Sequence, residues 1–125
     1  MAKILLVEDE LIISTPFSIV LKSKGHQVDN AENGNEALRL CQKKSYDLIL
    51  LDIMMPYCNG VEFLKKANLK TTAPNTRVVV LTNLSGGNEI DETLMLGAAK
   101  TVLKSSITPA LLLTLVDEEL TLSKK

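Results

Sequence analysis

Short apolar runs alternate along the chain with longer segments in which apolar residues recur every three or four positions. The apolar runs predict strands buried on both faces, because a strand with one solvated face would alternate apolar and polar residues. We predict five strands, the second of them the least apolar, over residues 3–7, 26–30, 48–51, 77–81 and 101–103.

The longer segments predict helices, because a spacing of three or four residues places apolar side chains on one helical face. These helices are predicted over residues 10–24, 35–44, 60–69, 88–96 and 109–122. Pro16 lies in the first of them and is expected in or near its first turn, or at a bend, since proline lacks a backbone donor. Residues 70–76 and Gly86-Gly87 are expected to form loops, and Lys124-Lys125 to form a frayed tail.

Five successive strand–helix units predict an α/β fold, in which a parallel sheet carries helices on both faces. The functional site of such a fold lies beyond the carboxyl ends of its strands. The residues that directly follow each strand are therefore the candidates for chemistry.

Length and composition narrow the class of protein. The chain fits one domain, 1–125, with an ordered core over about 3–122. It has 14 Lys and Arg against 15 Asp and Glu, a net charge of -1, which argues against binding nucleic acid or a membrane surface through bulk charge. No apolar run approaches a membrane span, and Cys41 and Cys58 lack metal-ligand spacing, so we expect a cytoplasmic protein with two free thiols.

The third strand carries the most informative pattern, Asp47-Leu-Ile-Leu-Leu-Asp52, followed by a Met-Pro-x-x-x-Gly turn that ends at Gly60. An unpaired buried carboxylate is costly. Asp52 at the end of a buried strand therefore predicts a partner that requires its charge. Taken alone, Asp52 would equally suit a cap for the following turn.

Polar residues also follow other strands: Glu8 and Asp9 the first, Thr82 the fourth and Lys104 the fifth. If the first and third strands are neighbours, their ends lie about 5 Å apart. Repulsion between three converging carboxylates would then raise their pKa values or recruit a cation. Oxygen ligands with room for water suit Mg²⁺. Lys104 and Thr82 would then bind phosphoryl oxygens, and Asp52 would be the nucleophile of a phosphoryl transfer.

Each of these residues has a simpler interpretation by itself. Glu8-Asp9-Glu10 would stabilise a helix N-terminus through the helix dipole, the Thr82 hydroxyl would bond to backbone, and Lys104 would be solvated. Their joint placement at successive strand ends favours the acidic pocket.

With these motifs, the chain resembles the response regulator receiver domains of bacterial two-component signalling. The matching residues are Ile4-Leu-Leu-Val-Glu-Asp9, Asp52-Ile-Met-Met-Pro56 with Gly60, Val79-Val-Leu-Thr82, Gly97-Ala98 and Lys104. The resemblance extends from Ile4 to about Leu122. It implies a flavodoxin-like, doubly wound (βα)5 fold with strand order 2-1-3-4-5.

The resemblance also implies a signalling switch rather than an enzyme. Asp52 would receive a phosphoryl group from a histidine kinase or phosphotransfer protein, and the change would be relayed to an unknown protein target. Thr82 and Lys104 would bind the phosphoryl group. The ligands of Mg²⁺ would be Glu8, Asp9, Asp52 and the backbone carbonyl of Met54.

Three positions depart from the family's usual pattern. Thr101 occupies the place of an aromatic residue in the fifth strand, which puts coupling through that ring in doubt. Ser105 replaces the proline that usually follows the lysine, so we predict a trans peptide bond or an altered loop there. Asn83 replaces a small residue and would narrow access to Asp52 or donate a hydrogen bond. Apolar Met54 and Leu84 beside the site suggest a longer-lived acyl phosphate.

Two other functions compete with the phosphoacceptor switch. A haloacid-dehalogenase-like phosphatase would place a second acid two residues after the nucleophile, where this chain has Met54. A degenerate receiver that acts as a phosphorylation-independent interaction module stays open, because of the departures at Thr101 and Ser105.

The last helix has more leucine than one inward stripe needs, which suggests a partner or homodimer surface. With no output domain after Leu122, we expect either a stand-alone regulator or an excised receiver.

Overall fold

The computed structural model describes residues 2–55, 57–83 and 88–123. The strands are β1 (Lys3–Val7), β2 (Gln27–Ala31), β3 (Leu48–Asp52), β4 (Arg77–Thr82) and β5 (Lys100–Leu103). The helices are α1 (Leu11–Ser23), α2 (Gly34–Lys43), α3 (Gly60–Ala67), α4 (Leu69–Thr72), α5 (Asn88–Met95) and α6 (Pro109–Ser123). The expectations for Leu84, Gly86-Gly87 and Lys124-Lys125 lie outside the described residues, as does Pro56.

The five strands pair in parallel in the order β2-β1-β3-β4-β5, which confirms the predicted sheet. At the carboxyl edge, Val7 lies opposite Ala31 on one side and Leu51 on the other. β1 and β3 are therefore neighbours, and the residues that follow Val7 and Leu51 leave the sheet side by side.

The sheet is covered on both faces because alternate residues of its strands enter different cores. Leu5 packs in a core with α2 and α3, where Phe63 is fully buried. Ile4, the preceding residue of the same strand, packs in a second core with α1 and α6, where Leu112 is fully buried. All five residues of β3 are buried, so the strand that ends in Asp52 lies at the centre of the molecule.

The structure differs from the predicted elements mainly at helix ends. The helix after β3 stops at Ala67 because Asn68 adopts the left-handed conformation, with φ 49° and ψ 51°, which asparagine tolerates better than most residues. The separate turn α4 then buries Leu69. Pro16 lies at the sixth residue of α1, in its second turn. Within the described residues, no helix has both the length and the apolar character that a membrane crossing requires.

A buried tyrosine ties β2 to the segment before β3. The Tyr46 hydroxyl donates a hydrogen bond of 2.7 Å to Asp29 Oδ2, and Lys44 Nζ lies 3.0 Å from the same oxygen. Chiefly through the Tyr46 hydrogen bond, the pKa of Asp29 is lowered. An acid whose pKa is lowered by folding stabilises the fold at pH values above its ordinary pKa. This stabilisation is lost as the pH falls through the lowered pKa.

We expect Tyr46→Phe to lower the free energy of unfolding by about 1 kcal/mol at pH 7, below the usual range for a charged hydrogen bond because Asp29 is partly exposed. The difference should shrink as the pH falls below 3.8, the ordinary pKa of Asp29. Urea unfolding at pH 7 and at lower pH measures both. Tyr57→Phe is the control, since Tyr57 is 87% exposed; an equal loss in the two variants would contradict the assignment.

Candidate functional site

A buried lysine joins two buried carboxylates at the carboxyl edge of the sheet. Lys104 Nζ lies 2.7 Å from Glu8 Oε1 and 3.1 Å from Asp52 Oδ2. The exposed fractions are 4% for Glu8, 4% for Asp52 and 7% for Lys104. The structure thus brings together three residues that the sequence separates by 44 and 52 positions along the chain.

Burial and mutual contact shift the protonation of this cluster. Burial raises the pKa of Glu8 to about 7; the Lys104 hydrogen bond lowers it and neighbouring Asp52 raises it. Burial by itself lowers the pKa of Lys104, but the hydrogen bond to Glu8 and the attraction of Asp52 outweigh burial, so the pKa of Lys104 is raised. Lys104 is therefore charged at neutral pH and presents a fixed cation to Asp52.

Beside this cluster lies a group of acidic side chains that suits a divalent cation. Single oxygens of Glu8, Asp9 and Glu10 lie within 4.8 Å of one another. Asp9 Oδ1 is buried and has no hydrogen-bond partner among the described residues, and a bound cation would satisfy it. Three carboxylates with an unsatisfied oxygen form a donor set of the type that Mg²⁺ prefers.

Glu10 belongs to this group but is not among the metal ligands predicted from the sequence. Its Oε1 also lies 3.6 Å from Lys104 Nζ, and it occupies the N-cap position of α1. Its adjacency to Glu8 and Asp9 was the available signal. Which carboxylates converge depends on how the backbone turns between β1 and α1, and the sequence pattern does not specify that turn.

The segment after Asp52 folds back tightly against the strand. Asp52 Oδ1 accepts a hydrogen bond of 3.3 Å from the Met54 backbone N–H, and the Gly60 N–H donates to the Ile53 carbonyl at 2.9 Å. A Cβ atom at Gly60 would lie 2.6 Å from the Asp52 carbonyl oxygen. This close approach explains why glycine ends the Met-Pro-x-x-x-Gly turn. Met54 is 62% exposed.

Thr82 occupies the expected place at the end of β4, 1% exposed. It pairs with Leu103, and the preceding Leu81 lies opposite Asp52. The Thr82 side chain thus belongs to the same edge of the sheet as the carboxylates and Lys104.

Three positions depart from the family's usual pattern: Thr101 in β5, Ser105 shortly after β5, and Asn83 directly after β4. Thr101 is partly buried within that strand. No cis peptide bond occurs among the described residues, so the bond before Ser105 is trans, and Lys104–Ser106 form a single 3-10 turn. The predicted trans peptide bond is confirmed. Asn83 Oδ1 accepts a hydrogen bond of 3.1 Å from the Ser105 backbone N–H.

Comparison with known proteins agrees with this geometry. The family model described as the response regulator receiver domain matches residues 4–117. The transcriptional regulatory protein CpxR homolog of Haemophilus influenzae is 41% identical over 75% of this chain and 39% of its own length. Sporulation initiation phosphotransferase F of Bacillus subtilis is 36% identical over 77% of this chain and 76% of its own length. The chain thus spans well under half of the first of these relatives.

Solved structures share the fold over nearly the whole chain. A CheY-like receiver domain protein of Methanospirillum hungatei has a TM-score of 0.91 at 27% identity, covering 99% of this chain and 97% of that one. The chemotaxis response regulator CheY4 of Vibrio cholerae has a TM-score of 0.86 at 31% identity, covering 95% and 98%. The fold, the acidic edge of the sheet and the family match together show that this chain belongs to the response regulator receiver domains of two-component signalling.

Proposed function

We propose that the chain is a phosphoacceptor switch in which Asp52 receives a phosphoryl group from a histidine kinase or phosphotransfer protein. One observation carries the proposal: Asp52 ends a fully buried strand with its carboxylate 3.1 Å from the Lys104 ammonium. This contact is an ion pair in the resting protein, and the same cation is placed to meet the charge of an incoming phosphoryl group.

The transfer would exchange one bond to phosphorus for another. A carboxylate oxygen of Asp52 attacks the phosphorus of a phosphohistidine, a P–O bond forms, and the P–N bond breaks with its electron pair left on the imidazole nitrogen. The product is an acyl phosphate on Asp52. Lys104 and the Thr82 hydroxyl would neutralise and hydrogen-bond the phosphoryl oxygens, a role in which fixed, buried groups are most effective.

Mg²⁺ is part of the proposal because the acidic group fits it. The buried and unsatisfied Asp9 Oδ1 supports a bound cation at this edge of the sheet. The proposed ligands are Glu8 and Asp9 of this group, together with Asp52 and the backbone carbonyl of Met54; Glu10 is a further candidate from the same group. Bound there, Mg²⁺ would supply positive charge that reduces the repulsion between the carboxylates and the phosphoryl oxygens.

The partners follow from the same chemistry. A histidine kinase or phosphotransfer protein would supply the phosphoryl group, and a downstream protein would bind the phosphorylated form. In α6, Leu111 is 51% exposed and Leu122 is 47% exposed, in keeping with the expected surplus of apolar residues there. We propose this helix as a contact for that target or for a second copy of the chain.

A phosphorylation-independent interaction module is the second candidate, favoured by Thr101, which cannot act as a ring that swings inward. A phosphate mimic separates the two functions. Beryllofluoride with Mg²⁺ should shift the backbone amide NMR signals near Asp52, Thr82 and Lys104 in the ¹⁵N-labelled chain. Asp52→Asn should abolish the shifts. Absence of any shift in the unsubstituted chain would overturn the phosphoacceptor proposal and favour the module.

A further inference from the structure

The ends of β4 and β5 are joined beyond the last pair of the sheet. The strand pairing stops at Thr82 and Leu103. Directly after the end of β4, Asn83 Oδ1 accepts a hydrogen bond of 3.1 Å from the Ser105 backbone N–H. A side chain thus supplies the next link after the backbone ladder ends.

This link attaches to the turn that carries Lys104. Lys104–Ser106 form one 3-10 turn, closed by a hydrogen bond of 3.2 Å from the Ile107 N–H to the Lys104 carbonyl. The Lys104 side chain holds the turn to Glu8 and Asp52, and Asn83 bonds to the neighbouring Ser105. An isolated turn of this length has little intrinsic stability, so an outside tether limits where the Lys104 backbone can move.

The link needs two particular features of this chain. It requires an acceptor at position 83 and a backbone donor at position 105. Proline lacks the backbone N–H, so a proline at position 105 would remove the bond. Asn83 and Ser105 are therefore complementary parts of one contact.

We propose that Asn83 is a positioning residue for phosphoryl binding, which acts through Ser105 to hold the Lys104 turn against the acidic cluster. The inference rests on the proposed function, since it assigns Lys104 to the phosphoryl group. The bond is partly open to solvent, so its loss should weaken binding of a phosphate mimic by about threefold, the lower part of the range for a single hydrogen bond. Mg²⁺ binding should change less than beryllofluoride binding, because none of the proposed Mg²⁺ ligands lies on the Lys104 turn.

The bond can be removed from either end. Asn83→Ala removes the acceptor and Ser105→Pro removes the donor, whereas Ser105→Ala keeps the donor and is the matched control. Beryllofluoride and Mg²⁺ dissociation constants are measured separately for each variant, along with the Ser105 amide shift by ¹⁵N NMR. Asn83→Ala is the primary variant, because proline also disfavours the turn conformation of Lys104.

We expect Asn83→Ala and Ser105→Pro to raise the beryllofluoride dissociation constant about threefold, with Ser105→Ala unchanged and every Mg²⁺ constant changed by a smaller factor. The Ser105 amide signal should move in Asn83→Ala, and Asn83→Ala should add no further loss to Ser105→Pro. Unchanged beryllofluoride binding in Asn83→Ala, or an equal loss in Ser105→Ala, would overturn the inference alone. Failure of the unsubstituted chain to bind beryllofluoride would overturn the proposed function along with it.

Discussion

Asp52→Asn is expected to reduce phosphoryl uptake from a small acyl phosphate donor by more than about a hundredfold, because the amide oxygen is a far weaker nucleophile than a carboxylate. The substitution is nearly isosteric, and the amide oxygen can still accept a hydrogen bond from Lys104. It also removes one of the buried negative charges, so the fold should persist. Intact-protein mass spectrometry, with hydroxylamine to cleave the acyl phosphate, measures the uptake directly.

The other end of the same strand provides the control. Asp47 directly precedes β3 and is exposed, with its Oδ2 accepting a hydrogen bond of 2.8 Å from the Lys3 N–H. Asp47→Asn should therefore take up phosphoryl groups at the rate of the unsubstituted chain. Equal uptake by Asp52→Asn and Asp47→Asn would place the phosphoryl group elsewhere.

The sheet could be predicted from the sequence because its strands are apolar on both faces. The run Leu48–Leu51 cannot be an amphipathic strand or a surface helix, and a parallel sheet is the fold that buries such runs. Once the sheet is parallel, residues that follow neighbouring strands must share an edge. That geometric rule is why Glu8, Asp52 and Lys104 could be grouped before their contacts were known.

Contacts within that edge could not be predicted, because they depend on side-chain directions and on short turns. The resting ion pair is one case. The sequence predicted that Lys104 lies opposite Asp52 and binds a phosphoryl group, whereas in the structure its ammonium already lies 2.7 Å from Glu8. The hydrogen bond from Ser105 to Asn83 is another. In the sequence, each of these two residues is recognisable only as a departure from the family's usual pattern. Their pairing depends on where the β4–β5 ladder ends.

The resting ion pair also changes the energetics of the site. A buried ion pair contributes little net stability when intact, but breaking it by removing one partner leaves an uncompensated buried charge. Lys104 compensates two carboxylates at once, at 2.7 and 3.1 Å. The stability of the resting fold should therefore depend on this lysine more than on any exposed ion pair.

Lys104→Met should lower the free energy of unfolding by about 3 kcal/mol at pH 8 without divalent cations, the low end for a broken buried pair. The loss should depend on pH. Glu8 has a folded pKa of about 7 even with Lys104 present, and removal of the lysine raises it further. An acid whose pKa is higher in the folded protein stabilises the fold at pH values below its pKa in the unfolded chain. This stabilisation is lost as the pH rises through its pKa in the folded protein. The difference between the variant and the unsubstituted chain should thus be smaller at pH 5 than at pH 8.

Urea unfolding at the two pH values measures this difference, and Lys44→Met is the matched control. Lys44 forms an ion pair of 3.0 Å with Asp29, but its side chain is 53% exposed, so its loss should cost less than about 1 kcal/mol. Added Mg²⁺ should recover part of the stability of Lys104→Met, because a cation that binds only the folded acidic group shifts the unfolding equilibrium. A loss independent of pH and of Mg²⁺ would mean that Lys104 stabilises the fold by packing rather than by compensating Glu8 and Asp52.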